Sequence, residues 1–244
     1  MKNSHGPFNV KVSALRSDYA VVMNAQGATL KTHLQGEFKP WPTGIAQLLA
    51  EDLNALPSQA DLRESLVYCL LSTFCEESNP QFSLFVEDDL QWDAAYRLSD
   101  DEEIAALQYE SIAAVVKFLK DDWVTLDENT CQTIEEMREK EVDFVPGEIV
   151  NRFLEFTRDY NQYQKYTVEL LQSIFGGIHL SMILLWVSRK VSSEDLMKSS
   201  LFLSCSKEDL ESRKFSKAER SDIESFSLKL DALKQALYLL KEMP

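Results

Sequence analysis

IFGGIHLSMILLWV, residues Ile174–Val187, lies within a longer stretch, Leu170–Ser188, that carries no formal charge. Its reading decides the fold. A membrane-spanning helix needs about 20 predominantly apolar residues. This run is shorter, and Gly176, Gly177, His179 and Ser181 interrupt it, with Gln172 and Ser173 just outside. An all-round apolar helix in a chain with no second such segment belongs at the centre of a helical core. The expectation is therefore a buried central helix over about 166–190, with no membrane insertion.

The surrounding composition fits that expectation. The chain has 244 residues, 45% of them hydrophobic, enough to bury one large core or two smaller ones. Its 25 basic and 40 acidic side chains leave a net charge of −15, which repels phosphate backbones and anionic headgroups. No basic patch offsets this, so nucleic acid is not an expected partner, and the charge favours a monomer. The acids are unevenly placed: Glu76–Glu103 holds ten of them against one base, Arg97. Such a run is either a solvated face or a surface for a basic partner. Cys69, Cys75, Cys131 and Cys205 show no C-x-x-C spacing and read as reduced thiols of a cytosolic or matrix-like compartment. The opening residues, MKNSHGPFNV, lack the apolar core of a secretory signal and the Arg-rich pattern of a transit peptide.

Working toward the amino terminus, residues up to about 40 read as extended. Phe8, Val10 and Val12 alternate with polar neighbours, and YAVVM and ATLKT flank a turn at Asn24–Gly27, the pattern of a hairpin or meander. Behind Pro42 and Thr43 the period changes, with Ile45, Leu48, Leu49 and Leu53 on one helical face. A second helix from about Ser58 carries Leu62, Leu66, Cys69, Leu70 and Phe74. Pro80 to Arg97 reads as a loop or short strand. Asp100 and Asp101 supply a negative helix start, and Ile104, Leu107, Val115, Phe118 and Leu119 continue the apolar face. Pro146 and Gly147 mark the next boundary.

Toward the carboxyl terminus, Arg189 and Lys190 suit the end of the central helix. Ser192 with Asp195 and Ser216 with Glu219 read as helix starts. Ile223, Phe226, Leu230, Leu233, Leu237 and Leu240 form a stripe that either packs on its own bundle or recruits a partner helix. The fold class is α+β: a small β-rich amino-terminal domain, 1–57, followed by a larger all-helical domain, 58–244.

Catalytic motifs are absent. No Gly-rich phosphate loop, G-x-S-x-G elbow, H-E-x-x-H or calcium loop occurs, and His5, His33 and His179 are too few for a histidine-rich metal site. His179, amid apolar residues, reads as a core imidazole. No catalytic, cofactor-binding or metal-binding residue is assigned, and carboxylate chemistry remains only as a distant third reading.

The succession of segments resembles a known family. FNVKVSALRSDYAVVMNAQGATLKTHLQGEFKPWPTGIAQLLAEDLNALPSQ resembles the start of the assembly chaperones for the alpha subunit of the F-type ATP synthase head, with matches at Leu30, Lys31, Thr32, Pro42, Thr43 and Ala46. AAYRLSDDEEIAALQYESIAAVVKFLKDDW looks like the next block, through Tyr96, Arg97, Gln108 and Phe118. YTVELLQSIFGGIHLSMILLWVSRKVSSEDL resembles the family's buried helix, polar break and following helix start. The family's acidic-Trp pair falls at Asp52 and Leu53, its acidic cluster has Glu208, Asp209 and Glu211 as nearest counterparts, and Ile112 replaces a habitual Trp.

The resemblance implies a non-catalytic assembly chaperone. Its partner would be the unassembled alpha subunit, its partner-binding positions Asp52, Leu53, Glu208, Asp209 and Glu211, and its location a bacterial cytoplasm or a mitochondrial matrix. The alternative is a protein-interaction module with another partner, using the leucine stripe or the acidic segment.

Overall fold

The amino-terminal strands form a three-stranded antiparallel meander: β1 (Lys11–Ala14), β2 (Tyr19–Met23) and β3 (Trp41–Pro42) in that order. Val12 pairs with Val22 and Ala20 with Trp41. The computed structural model describes residues 8–15, 18–57, 59–76, 80–96, 101–121, 145, 147–176, 179–203 and 217–241. Ser216 and Asp100, expected at helix starts, lie outside them.

The turn at Asn24–Gly27 is present. Gly27 adopts φ 81°, and the Asn24 side chain accepts from the amides of Gln26 and Ala28. The ATLKT segment makes only single bridges, Met23 to Thr29 and Lys31 to Glu37, instead of a full strand. The alternation of β2 buries Ala20 and Val22 against α1 (Thr43–Ala55). That helix inserts Ile45, Leu48, Leu49 and Leu53 from one face, as their spacing requires. Asn54 fixes the pairing at its far end by accepting from Val10 N at 2.9 Å and donating to Val10 O at 3.0 Å.

The second helix begins later than its apolar spacing suggests. A single 3-10 turn, Leu62–Glu64, precedes α2 (Leu66–Glu76). Ser65 sets the start because its hydroxyl accepts from Tyr68 N at 2.9 Å, which gives an orphan amide of the first turn a partner. The chain forms two compact units, Met1–Phe82 with Leu228–Pro244, and Ser83–Ser227. The sequence boundary after Pro57 follows α1, whereas the first unit as folded also takes in α2 and the final turns of α10 (Lys217–Lys241). α2 belongs there because Tyr68 stacks on Phe38 and its hydroxyl donates to Lys31 O at 2.9 Å. In the carboxyl-terminal stripe Leu230, Leu233, Leu237 and Leu240 are buried, so that face packs within the protein.

The second unit is helical: α3 (Val86–Leu90), α4 (Glu102–Ser111), α5 (Ala113–Asp121), α6 (Gly147–Thr157), α7 (Gln162–Phe175), α8 (Leu180–Val187) and α9 (Ser193–Leu203). Asp101 caps α4 by accepting from Glu103 N and Ile104 N, and Ser192 starts α9 by accepting from Asp195 N at 3.0 Å. Pro80–Tyr96, read as a loop or strand, contains α3 and a 3-10 turn, Ala94–Tyr96. The acids of this short helix hid its period, since only Val86 and Leu90 are apolar and buried.

The central helix is two helices. α7 ends at Gly176, which caps it in the left-handed region at φ 78°, and α8 begins afresh at Leu180. A continuous helix over 166–190 is thus replaced by a break that glycine permits and other residues resist. Every residue of α8 is buried, and α8 touches α3, α5, α7 and α9. Among the described residues, no helix is long and apolar enough to cross a membrane. At its other end Arg189 adopts φ 63°, with Arg189 N donating to Trp186 O and Lys190 N to Leu185 O, a Schellman closure built on a non-glycine residue.

A Cβ at Gly176 meets nothing within 4 Å, so Gly176→Ala carries a purely conformational cost, about 1 kcal/mol in urea unfolding, and Gly176→Asn less. His179, fully buried beside the start of α8, has its pKa pulled down by desolvation from 6.5 to about 4. The folded state therefore holds it neutral, and the stability this contributes is present above pH 6.5 and lost as pH falls toward 4. Between pH 7 and pH 5 the native protein should lose about 2 kcal/mol more than His179→Gln, measured by urea midpoints at each pH. Equal losses would show that the imidazole does not set this slope.

Candidate functional site

Of the positions implicated by sequence, Asp52 and Leu53 fall on the last turns of α1, and Glu208, Asp209 and Glu211 lie outside the described residues. Leu53 is wholly buried and serves the core of the first unit. Asp52 is half-buried, and the Ser65 hydroxyl that starts α2 donates to its carboxylate. Burial raises its pKa, opposed by the Ser65 bond and by the charge of Lys229. Lys229 also approaches Glu64 at 3.7 Å, so one α10 cation stands near two carboxylates of the first unit.

A second polar constellation joins the Thr32–Gly36 turn to α2. Ser72 Oγ accepts from His33 N at 3.0 Å and lies 2.7 Å from His33 Nδ1. Glu76 accepts from Leu34 N at 2.7 Å and pairs with His33 Nε2 at 3.0 Å. Serine, imidazole and carboxylate are thus in contact, as a nucleophile, its base and an orienting acid would be. The serine, however, is fully buried, and its oxygen is already an acceptor for a backbone amide. The arrangement is a clamp that holds the turn and leaves Leu34 73% exposed at its apex. The i, i+4 spacing of Ser72 and Glu76 was its only trace in the sequence.

The acidic segment proves two-sided. Val86, Leu90 and Asp93 face inward, while Phe85, Asp88, Asp89 and Trp92 recur at steps of three and four on the other side of α3 and the turn that follows it. Phe85 is 66% and Trp92 71% exposed. Asp89 is fixed by a bond from Gln172 Nε2 at 3.0 Å. Asp93, read with the solvated acids, is instead buried. It accepts from Ala95 N at 2.9 Å and from Ser181 N, at the start of α8, at 2.6 Å, and Ser181 Oγ meets the Tyr96 hydroxyl at 2.9 Å. Desolvation raises the Asp93 pKa, against the bonds from Ser181 and Ala95.

A groove of about 440 Å³ between α4 and α9 is lined by Leu107, Glu110, Ser111, Asp195, Lys198 and Phe202, with Lys198 paired to Glu194 at 2.7 Å. Cys75 is buried and Cys69 half-buried, the latter with its thiol pushed up to about 11 by burial. Cys131 and Cys205 lie outside the described residues.

No protein-family model and no curated protein matches the chain. Among solved structures, that of a point mutant of P. denitrificans Atp12p aligns over 94% of both chains with a TM-score of 0.58 at 12% sequence identity. The chain has an Atp12p-like fold. At 12% identity the likeness to Atp12p is one of fold.

The clamp gives a direct test. Ser72→Ala leaves the His33 amide without its acceptor, so a loss of roughly 1–2 kcal/mol is expected in thermal or urea unfolding, with accelerated amide exchange at His33 and Leu34. Unchanged exchange at both would remove the clamp's role.

Proposed function

We propose that the chain is an assembly chaperone that binds the unassembled alpha subunit of the F-type ATP synthase head and performs no catalytic step of its own. The observation that carries this reading is the Atp12p-like fold over nearly the whole chain. The order of segments that resembles the alpha-subunit chaperones supports it independently. An orphan subunit exposes a patch of interface size, which drives aggregation. A binder that masks the patch shifts the population toward the dispersed form until the true neighbour displaces it. The net charge of −15 suits such a role, because it speeds encounter with cationic surface and discourages self-association.

In this proposal the chaperone acts as a monomer, in a bacterial cytoplasm or a mitochondrial matrix. The partner surface includes Asp52, with Leu53 anchoring the helix that presents it, and the acids Glu208, Asp209 and Glu211. Co-expression with the cognate alpha subunit should move most of that subunit from the pellet to the supernatant. Reversal of the three later acids to lysine should return it to the pellet while leaving the chaperone's own circular dichroism unchanged, and Asp52→Asn, which keeps an acceptor for the Ser65 hydroxyl, should weaken the effect further. An alpha subunit equally insoluble with and without the native chain would overturn the reading.

A further inference from the structure

We propose that the outer face of α3, formed by Phe85, Asp88, Asp89 and Trp92, is a docking surface for a cationic protein segment, one that carries arginine or lysine among apolar neighbours. The inference does not depend on which client the protein escorts.

Phe85 and Trp92 are 66% and 71% exposed, although each would gain from burial. A single exposed aromatic is ordinary, but two on one side of the same short element form an apolar pair. Seven residues apart, they are separated by about 10 Å along the axis at 1.5 Å per residue. Asp88 and Asp89 stand between them along the chain, Asp88 exposed and Asp89 half-buried with its carboxylate held by Gln172.

The face is also fixed in advance. Val86 and Leu90 anchor its inner side, Asp93 ties the following turn to the start of α8, and Gln172 holds Asp89. A surface ordered before binding loses little entropy on association.

The charge selects the occupant. Glu76–Glu103 holds ten acids against one base, and the whole chain is −15, so a second copy, a nucleic acid or an anionic bilayer is repelled. An aromatic face beside a carboxylate is the environment that receives a guanidinium or ammonium: the ring quadrupole attracts the cation and the carboxylate hydrogen-bonds it. Apolar neighbours on the same segment then cover the remaining aromatic surface.

The test uses the full chain and a fluorescently labelled peptide of repeating Arg-Ala-Leu-Ser units, with the same peptide carrying Glu for Arg as a control. Binding is followed by anisotropy at low and moderate salt. The native chain should bind the arginine peptide and not the glutamate one. Phe85→Ser with Trp92→Ser, which leaves the charge unchanged, should weaken binding by about tenfold or more, and Asp88→Asn should weaken it further. Phe85 occupies the N-cap of α3 without a capping bond, and serine is a favoured cap, so Phe85→Ser alone is a fold-preserving second variant. No binding by the native chain overturns the proposal. So does equal affinity of native and aromatic-to-serine chains, which would assign the peptide to diffuse charge.

Discussion

The second unit depends on the burial of α8. A helix with no face in water gains apolar contact on every side, but its terminal amides and carbonyls lose solvent as partners. Here those partners come from elsewhere in the chain. Asp93 and Tyr96 serve the amino-terminal turn through Ser181, and Trp186 donates to Ser193 Oγ at 3.0 Å. Tyr160 donates to Leu184 O at 2.7 Å and meets Ser188 beside it. Aromatic rings of α5 and α6 line the same end, where Lys190 lies about 6 Å from the rings of Phe118 and Phe156. The apolar helix is thus held by polar groups at its two ends, with Asp93 and Tyr96 at one and Tyr160 at the other.

The first unit follows a different logic. Its sheet is too small to stand alone, since two or three short strands bury little surface. α1 covers one side, α2 grips the returning ribbon through Tyr68, Ser72 and Glu76, and the last turns of α10 add four buried leucines. Leu239 lies against Gly44, near the start of α1. Local strand propensity accounts for β1 and β2, and long-range helices supply the rest of the stability.

Much of this was legible in the sequence because it is written in periodicity. The meander, α1, the buried middle of 166–190 and the apolar stripe all repeat at the spacings that their structures require. What escaped depends on single residues or on tertiary partners. Gly176 breaks a helix whose composition predicts continuity. Ser65 delays a start that the leucine spacing places near Ser58. The acids of α3 conceal a helix with only two apolar anchors, and Asp93 is indistinguishable in sequence from its solvated neighbours. The clamp of His33, Ser72 and Glu76 joins residues some forty positions apart, which no local pattern reveals. Of the positions suggested by family resemblance, Leu53 stands where the family has a Trp, and its side chain is buried in the core of the first unit, a placement that the sequence pattern alone does not give.

The two turns of the amino-terminal ribbon differ in a way that matters for anyone who alters this protein. Asn24–Gly27 is closed by its own atoms, so its tip can be lengthened or replaced without disturbing a neighbour. Thr32–Gly36 is bolted to a helix by two hydrogen bonds that its backbone amides donate and by an imidazole. An epitope or fluorophore inserted at the first should be carried passively. At the second it would unfasten the ribbon from α2, although both look like equivalent surface loops.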